Sequence, residues 1–243
     1  MKSEELTLDE VRRFGLRIAQ PVKGYRFSLD ALLLADFVVP AVDDAMIDLG
    51  TGCGVISLIL ARCCTASNVV AVEKNPEMAS LAGRNVEMNG LSGQVTVLEE
   101  DVLDLRKRYP VSSFDQVVSN PPFRVPGSGR VSPLVGRDSA RHESTASLAD
   151  FMAIAKYLVK PGGRICFIQH PSRLADFLGY AAELKLALHR LRMVHDSVGG
   201  SATMFMAELA KSSRATPEIL PPLIIRDQSG GYGTEVKVIL GEN

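Results

Sequence analysis

No two of the four cysteines, Cys53, Cys63, Cys64 and Cys166, have CxxC spacing, and no His/Cys cluster has the spacing of a zinc site. A disulfide scaffold and a structural metal are therefore not expected, and the thiols read as reduced and buried. No apolar run is long enough to span a bilayer. The leading residues, MKSEELTLDEVRRFG, are charged and lack the apolar stretch of a secretory signal. A cytoplasmic location with no membrane partner is the expectation. No internal repeat and no linker interrupts the chain, so residues 1–243 read as a single domain. Residues 1–40 form a leading segment and helix, and residues 41–243 a core with C-terminal strands. At 46% hydrophobic and 23% charged residues, the composition supports a full core and argues against wholesale disorder.

Net charge is also lacking, at −1. Its distribution is uneven, however. From Val11 to Phe27 the charged residues are Arg12, Arg13, Arg17, Lys23 and Arg26, with no acid. From Arg124 to His142 they are Arg124, Arg130, Arg137 and Arg141 against Asp138. Those segments carry +5 and +3, which leaves −9 for the rest of the chain. A chain so segregated can present a basic face to an anionic partner while its total stays near zero.

Along the chain, LTLDEVRRF reads as a helix with Thr7 as its cap and Glu10 three positions later. GLRIAQPVKGYRFS reads as extended or hairpin, and Ser28 as the cap of a helix that ends before Pro40. A regular alternation follows. Short apolar runs (AMIDLG, NVVAVEK, QVTVLEED, FDQVVSN, RICFIQH) read as buried strands between helical stretches. LADFMAIAKYLVKPGG reads as a helix with a glycine stop. HRLRMVHD and TMFMAELAK read as strands six and seven, and residues 217–239 as a terminal strand pair around GGYG. This alternation predicts an α/β three-layer sandwich with a mostly parallel sheet.

Between the first strand of that alternation and its helix lies DLGTGCG, Asp48 to Gly54. Gly50, Gly52 and Gly54 permit positive φ and a close approach of ligand to backbone. The spacing is G-x-G-x-G, and an acid precedes it. A pyrophosphate would have no use for Asp48, whereas a cationic amino-acid ligand would. Glu73 ends the next strand, where an acid can accept both hydroxyls of a ribose. Asp101 closes the third, placed to accept from an adenine amino group. After the fourth strand comes Asn120-Pro121-Pro122-Phe123. Consecutive prolines suit neither a helix interior nor a central strand.

In this order and spacing the motifs resemble the class I S-adenosylmethionine-dependent methyltransferases. The resemblance implies their Rossmann-like fold, with a mostly parallel seven-stranded sheet whose last strand is antiparallel. It implies S-adenosylmethionine as cofactor, held by Asp48, Gly50, Thr51, Gly52, Gly54, Glu73, Asp101, Val102 and Asn120. The segment GYRFSLDA would lid the cofactor, with Arg26 meeting the methionine carboxylate. Asn120, Pro121, Pro122 and Phe123 resemble the motif of enzymes that methylate planar nitrogens. There the Asn120 oxygen and the Pro121 carbonyl accept the two N–H groups of the amine, and Phe123 stacks on a flipped base.

Further pieces (GLRIAQPVKGYRFSLDALLLADF, SARHE and PLII…GGYGTEV) resemble the bacterial family of tRNA (adenine-N6)-methyltransferases acting on a valine tRNA beside the anticodon. The implied partner is an RNA, a tRNA above all, with Arg124, Arg130, Arg137 and Arg141 on its phosphates. Arg141, His142 and Glu143 would shape the target pocket. Phe123 stands where adenine-N6 enzymes more often have Tyr, and Phe is common among guanine-N2 enzymes of ribosomal RNA. Both bases stay open on that ground, and a protein glutamine amide stays open because its methyltransferases use the same Asn-Pro-Pro logic. Glutamine methyltransferases usually carry an N-terminal helical domain, and only 47 residues precede Asp48 here.

Overall fold

The computed structural model describes residues 5–23, 26–64, 68–121 and 146–242. It opens with an antiparallel hairpin of β1 (Leu6–Val11) and β2 (Leu16–Pro21), joined by a 3-10 turn over Arg12–Phe14. The helix expected at residues 6–14 is therefore a strand and a turn. Six consecutive residue pairs, from Leu6↔Pro21 to Val11↔Leu16, outweigh the local capping signal. Thr7, expected as the cap, donates its hydroxyl to Asp9 instead.

β2 pairs with β1 along one edge only. On its other edge Arg17 and Ala19 present their N–H and C=O outward, to α3 (Pro76–Met88) and its C-cap. Asn85 Oδ1 accepts from Ala19 N at 2.8 Å and Asn85 Nδ2 donates to Ala19 O at 2.9 Å. One helical turn on, Asn89 does the same for Arg17, at 2.9 and 2.7 Å. Two side-chain amides thus stand in for a neighbouring strand and satisfy an edge that would otherwise be unpaired.

α1 (Leu29–Phe37) begins after Ser28 as expected, although the Ser28 side chain makes no capping bond. Then come β3 (Ala45–Leu49), α2 (Val55–Cys63), β4 (Asn68–Glu73), α3, β5 (Val95–Glu99), the short α4 (Leu105–Arg108) and β6 (Phe114–Ser119). α5 (Leu148–Leu158) has a capping box between Ser147 and Asp150. It is followed by β7 (Val159–Gln169), α6 (Leu174–Glu183), β8 (Leu186–Ser197) and β9 (Ala202–Lys211). The expected helix through VKPGG stops earlier. Pro161 cannot continue it, and β7 starts at Val159. The register jumps from Phe114↔Val159 to Gln116↔Arg164, so the glycine pair is a bulge in a strand. Gly163 is required there, since a Cβ would lie 2.6 Å from the Asp115 carbonyl.

The C-terminal segment also differs from the expected strand pair. β10 (Glu218–Ile219) and β11 (Leu223–Arg226) do not pair with each other, because both lie parallel to β8. Pro221 and Pro222, which lack N–H groups, split one edge strand into two. Thr234–Leu240, expected as strand, is α7, with Val236 and Ile239 buried on one face.

The main sheet runs β10-β8-β9-β7-β6-β3-β4-β5. Its seven long strands are parallel except β9, which is antiparallel to both neighbours. Alternate residues face opposite layers. Met46, Cys166, Ile168 and Met206 pack toward α1, α2, α3 and α7. Ile47, Leu49, Ile165, Phe167 and Phe205 pack toward α5 and α6. No helix of the described residues is long and apolar enough to cross a membrane.

Candidate active site

The carboxyl ends of β3, β4, β5, β6 and β7 lie side by side, the place where open α/β sheets bind ligands. β3 ends in the glycine loop. Gly50 and Thr51 both donate backbone N–H to Val72 O at 2.9 Å, which folds the loop onto β4. Gly50, Gly52 and Gly54 have φ of 77°, 60° and 90°, the left-handed region that disfavours side chains. At Gly54 a Cβ would also press within 3.3 Å of Ala82 on α3.

Asp48 is fully buried beneath this loop. Its Oδ2 accepts from Thr51 Oγ1 at 2.6 Å and from Ser57 Oγ at 2.8 Å. Its Oδ1 has no hydrogen-bond partner among the described residues. Burial pushes its carboxyl up to about 6, against the two hydroxyl bonds that would lower it. A buried, half-satisfied carboxyl of this kind is costly to ionise unless a donor or a cation reaches it.

Glu73 ties the next strand end to the same loop. Its Oε2 accepts from Gly52 N at 2.9 Å and its Oε1 from Asn75 N at 2.8 Å. A carboxylate has about four acceptor sites, so both oxygens retain capacity for hydroxyl donors. Asp101 follows β5, where its Oδ1 caps Leu103 N at 3.0 Å and its Oδ2 pairs with Lys74 Nζ at 2.9 Å. Burial would raise this carboxyl, but the Leu103 N–H and Lys74 together hold it below the ordinary range. Buried Val102 adds an apolar surface beside it.

At the end of β6, buried Ser119 donates Oγ to Leu49 O at 2.7 Å and so locks this strand end to the glycine loop. Asn120 and Pro121 follow at once, Asn120 half-buried and Pro121 buried. Pro121 O accepts from Gln169 Nε2, at the end of β7, at 3.4 Å. Asp48, Gly50, Thr51, Gly52, Gly54, Glu73, Asp101, Val102, Asn120 and Pro121 are thus gathered at the carboxyl end of the sheet.

Arg26 is held by the hairpin. It donates to Thr7 Oγ1 and Pro21 O, both at 2.8 Å, and pairs with Asp9 at 3.0 Å. Of the basic residues of this segment, Arg13 also pairs with an acid, Asp36, so the face is less positive than the sequence alone implies. Pro122, Phe123, Arg124, Arg130, Arg137, Arg141, His142 and Glu143 lie outside the described residues. Ser57, Lys74, Asn85 and Gln169 escaped the sequence reading. Ser57 alone left a clear trace, as a hydroxyl inside the apolar run VISLILA.

Residues 29–198 match the family described as the methyltransferase small domain. The chain belongs to that family. This methyltransferase is 32% identical over 193 residues to a protein of Porphyromonas gingivalis named tRNA1(Val) (adenine(37)-N6)-methyltransferase, covering 78% of this chain and 75% of the relative. A protein of the same name from Shewanella loihica is 27% identical, covering 86% and 88% of the two chains. Among solved structures, a predicted O-methyltransferase from Agrobacterium tumefaciens superposes on the methyltransferase with a TM-score of 0.70 at 22% identity. That match covers 87% of this chain and 95% of the other. The structural likeness concerns the fold.

Proposed function

We propose that the protein transfers a methyl group from S-adenosylmethionine to the exocyclic N6 amine of an adenine in tRNA, beside the anticodon. The Asn120–Pro121 corner carries this reading. Ser119 fixes it against the glycine loop, and the relatives that match most of the chain are named for adenine-N6 methylation. The unpartnered Asp48 Oδ1 fits the amine of the methionine part, Glu73 the ribose hydroxyls, and Asp101 with Val102 the adenine. Bound there, the cofactor supplies an electrophilic methyl on a sulfonium.

The chain's own task is to present a poor nucleophile. An exocyclic amine is planar because its lone pair is delocalised into the ring. With its two N–H groups accepted by Asn120 Oδ1 and Pro121 O, the nitrogen is held so that pyramidalisation is favoured. Proline at 121 and 122 stiffens this corner, and Phe123 offers a stacking face to a flipped base. In this reading residues 41–243 are one catalytic unit. Residues 1–40 flank it as a brace and lid, joined to the glycine loop through Asn85, which donates to Cys53 O at 2.9 Å.

Incubation of the protein with methyl-labelled cofactor and bulk tRNA, followed by digestion to nucleosides, tests the reading. Label is expected in N6-methyladenosine. Label in a guanosine or in protein, or none at all, contradicts it.

A further inference from the structure

We infer that Gln169 is a positioning residue for methyl transfer, one that holds the Pro121 carbonyl in the orientation the target amine requires. This rests on the reading of Asn120 and Pro121 given above. Gln169 is the last residue of β7 and continues the face of Ile165 and Phe167, yet it is an amide where they are apolar. Its side chain is almost fully buried, at 2% exposure. Burying an amide is unfavourable unless it is hydrogen-bonded, so its one side-chain bond among the described residues is informative. That bond runs from Nε2 to the Pro121 oxygen.

The acceptor is unusual in a second way. Pro121 is followed by Pro122, so its carbonyl belongs to a tertiary amide and β6 can no longer extend by a regular ladder. Among the described residues no backbone N–H bonds this C=O outside the strand ladders, and the Gln169 amide fixes its direction. A carbonyl oxygen has two lone pairs. One is engaged by Gln169, at a long 3.4 Å, and the proposed mechanism gives the other to the substrate N–H. Gln169 never touches the reacting nitrogen. It acts through Pro121.

Two variants and one direct observation test this. Gln169→Leu removes the donor while keeping an apolar filler. It should lower kcat by about tenfold to a hundredfold, the scale of a small misplacement at a reacting centre, with cofactor Kd and tRNA KM unchanged. Gln169→Glu replaces the amide by a group that donates only when protonated. Its activity relative to wild type should fall as pH rises, centred above the ordinary glutamate pKa of about 4.3 because the site is buried. A purely structural glutamine would give no such profile.

In 15N-labelled wild-type protein, the Gln169 side-chain amide, assigned by its loss in Gln169→Leu, should exchange slowly with solvent. An unchanged kcat in Gln169→Leu, a wild-type pH profile in Gln169→Glu, or free-amide exchange overturns the inference. If wild-type protein leaves tRNA unmethylated, the reading of the function fails instead. The amide exchange then decides the Gln169–Pro121 contact on its own.

Discussion

The side chain of Asn85 is bonded to both backbone groups of Ala19, at 2.8 and 2.9 Å, from a helix 66 residues further along the chain. Its amide also reaches the Cys53 carbonyl in the glycine loop. Asn85→Leu would leave three buried backbone groups without partners. At about 1–3 kcal/mol for each unsatisfied group, a loss of about 3 kcal/mol or more is expected in urea unfolding. Cofactor affinity should fall as well, since the loop loses its tie to α3. A wild-type unfolding midpoint would refute the brace. Asn89, only partly buried, should matter less when changed to alanine.

Asp48 should make the ligand-free protein less stable at neutral pH. Its carboxyl is raised from 3.8 to about 6, so the folded state binds the proton more tightly than the unfolded chain does. The stability this contributes is fully present below pH 3.8 and lost as pH rises through about 6. Asp48→Asn should therefore be more stable than wild type above that pH, by up to about 3 kcal/mol, with the difference vanishing toward pH 4. The same variant should bind S-adenosylmethionine poorly. Equal stability of the two proteins at pH 8 would contradict the burial of an unpaired carboxylate.

Proton release should accompany cofactor binding to wild-type protein. A cation beside Asp48 lowers its pKa, so near pH 6 the bound complex holds fewer protons than its parts. Calorimetric enthalpies measured near pH 6 in buffers of different ionisation enthalpy should differ, and the difference should be absent in Asp48→Asn. Identical enthalpies across buffers for wild type would place the cation elsewhere.

Glu73→Ala and Asp101→Ala should each weaken cofactor binding by roughly tenfold to a hundredfold, the loss of a charge-assisted hydrogen bond. Asp101 has a second duty as the cap of Leu103, so its variant should also loosen the turn after β5. Retained affinity in both variants would remove these residues from the cofactor site.

The placement of much of the candidate site was legible, because the acids and the Asn-Pro pair close the apolar runs that read as strands. Asp48, Glu73, Asp101 and Asn120 stand where the strand–helix alternation put them. The supporting groups were not legible in the same way. Asn85 and Gln169 act on backbone atoms 66 and 48 residues away, and no local pattern announces such a bond. The fold shows the same division. Strands buried on both faces declared themselves as apolar runs. The hairpin at residues 6–21 did not, because its pairing partner overrode a capping signal, and α7 did not, because EVKVIL alternates like a strand. The glycine pair after α5 marked a bulge that only the sheet register reveals.

If the arginines that follow the Asn-Pro-Pro-Phe motif contact tRNA phosphates, their removal has a salt signature. Arg130→Ala combined with Arg137→Ala should weaken tRNA binding and leave cofactor affinity intact. The slope of log affinity against log salt should become shallower by about 0.7–0.9 for each phosphate that the variant no longer neutralises. An unchanged slope and affinity would show that these residues do not clamp RNA.

In the proposed reaction the Asn120–Pro121 corner binds the amine that receives the methyl group. Single-turnover methylation of tRNA by Asn120→Ala, with cofactor affinity measured in parallel, tests it most directly. The predicted result is a fall in rate of about a hundredfold or more, the scale for removing one positioned polar group, with cofactor still bound. A variant that forms N6-methyladenosine at near the wild-type rate would contradict this role of Asn120.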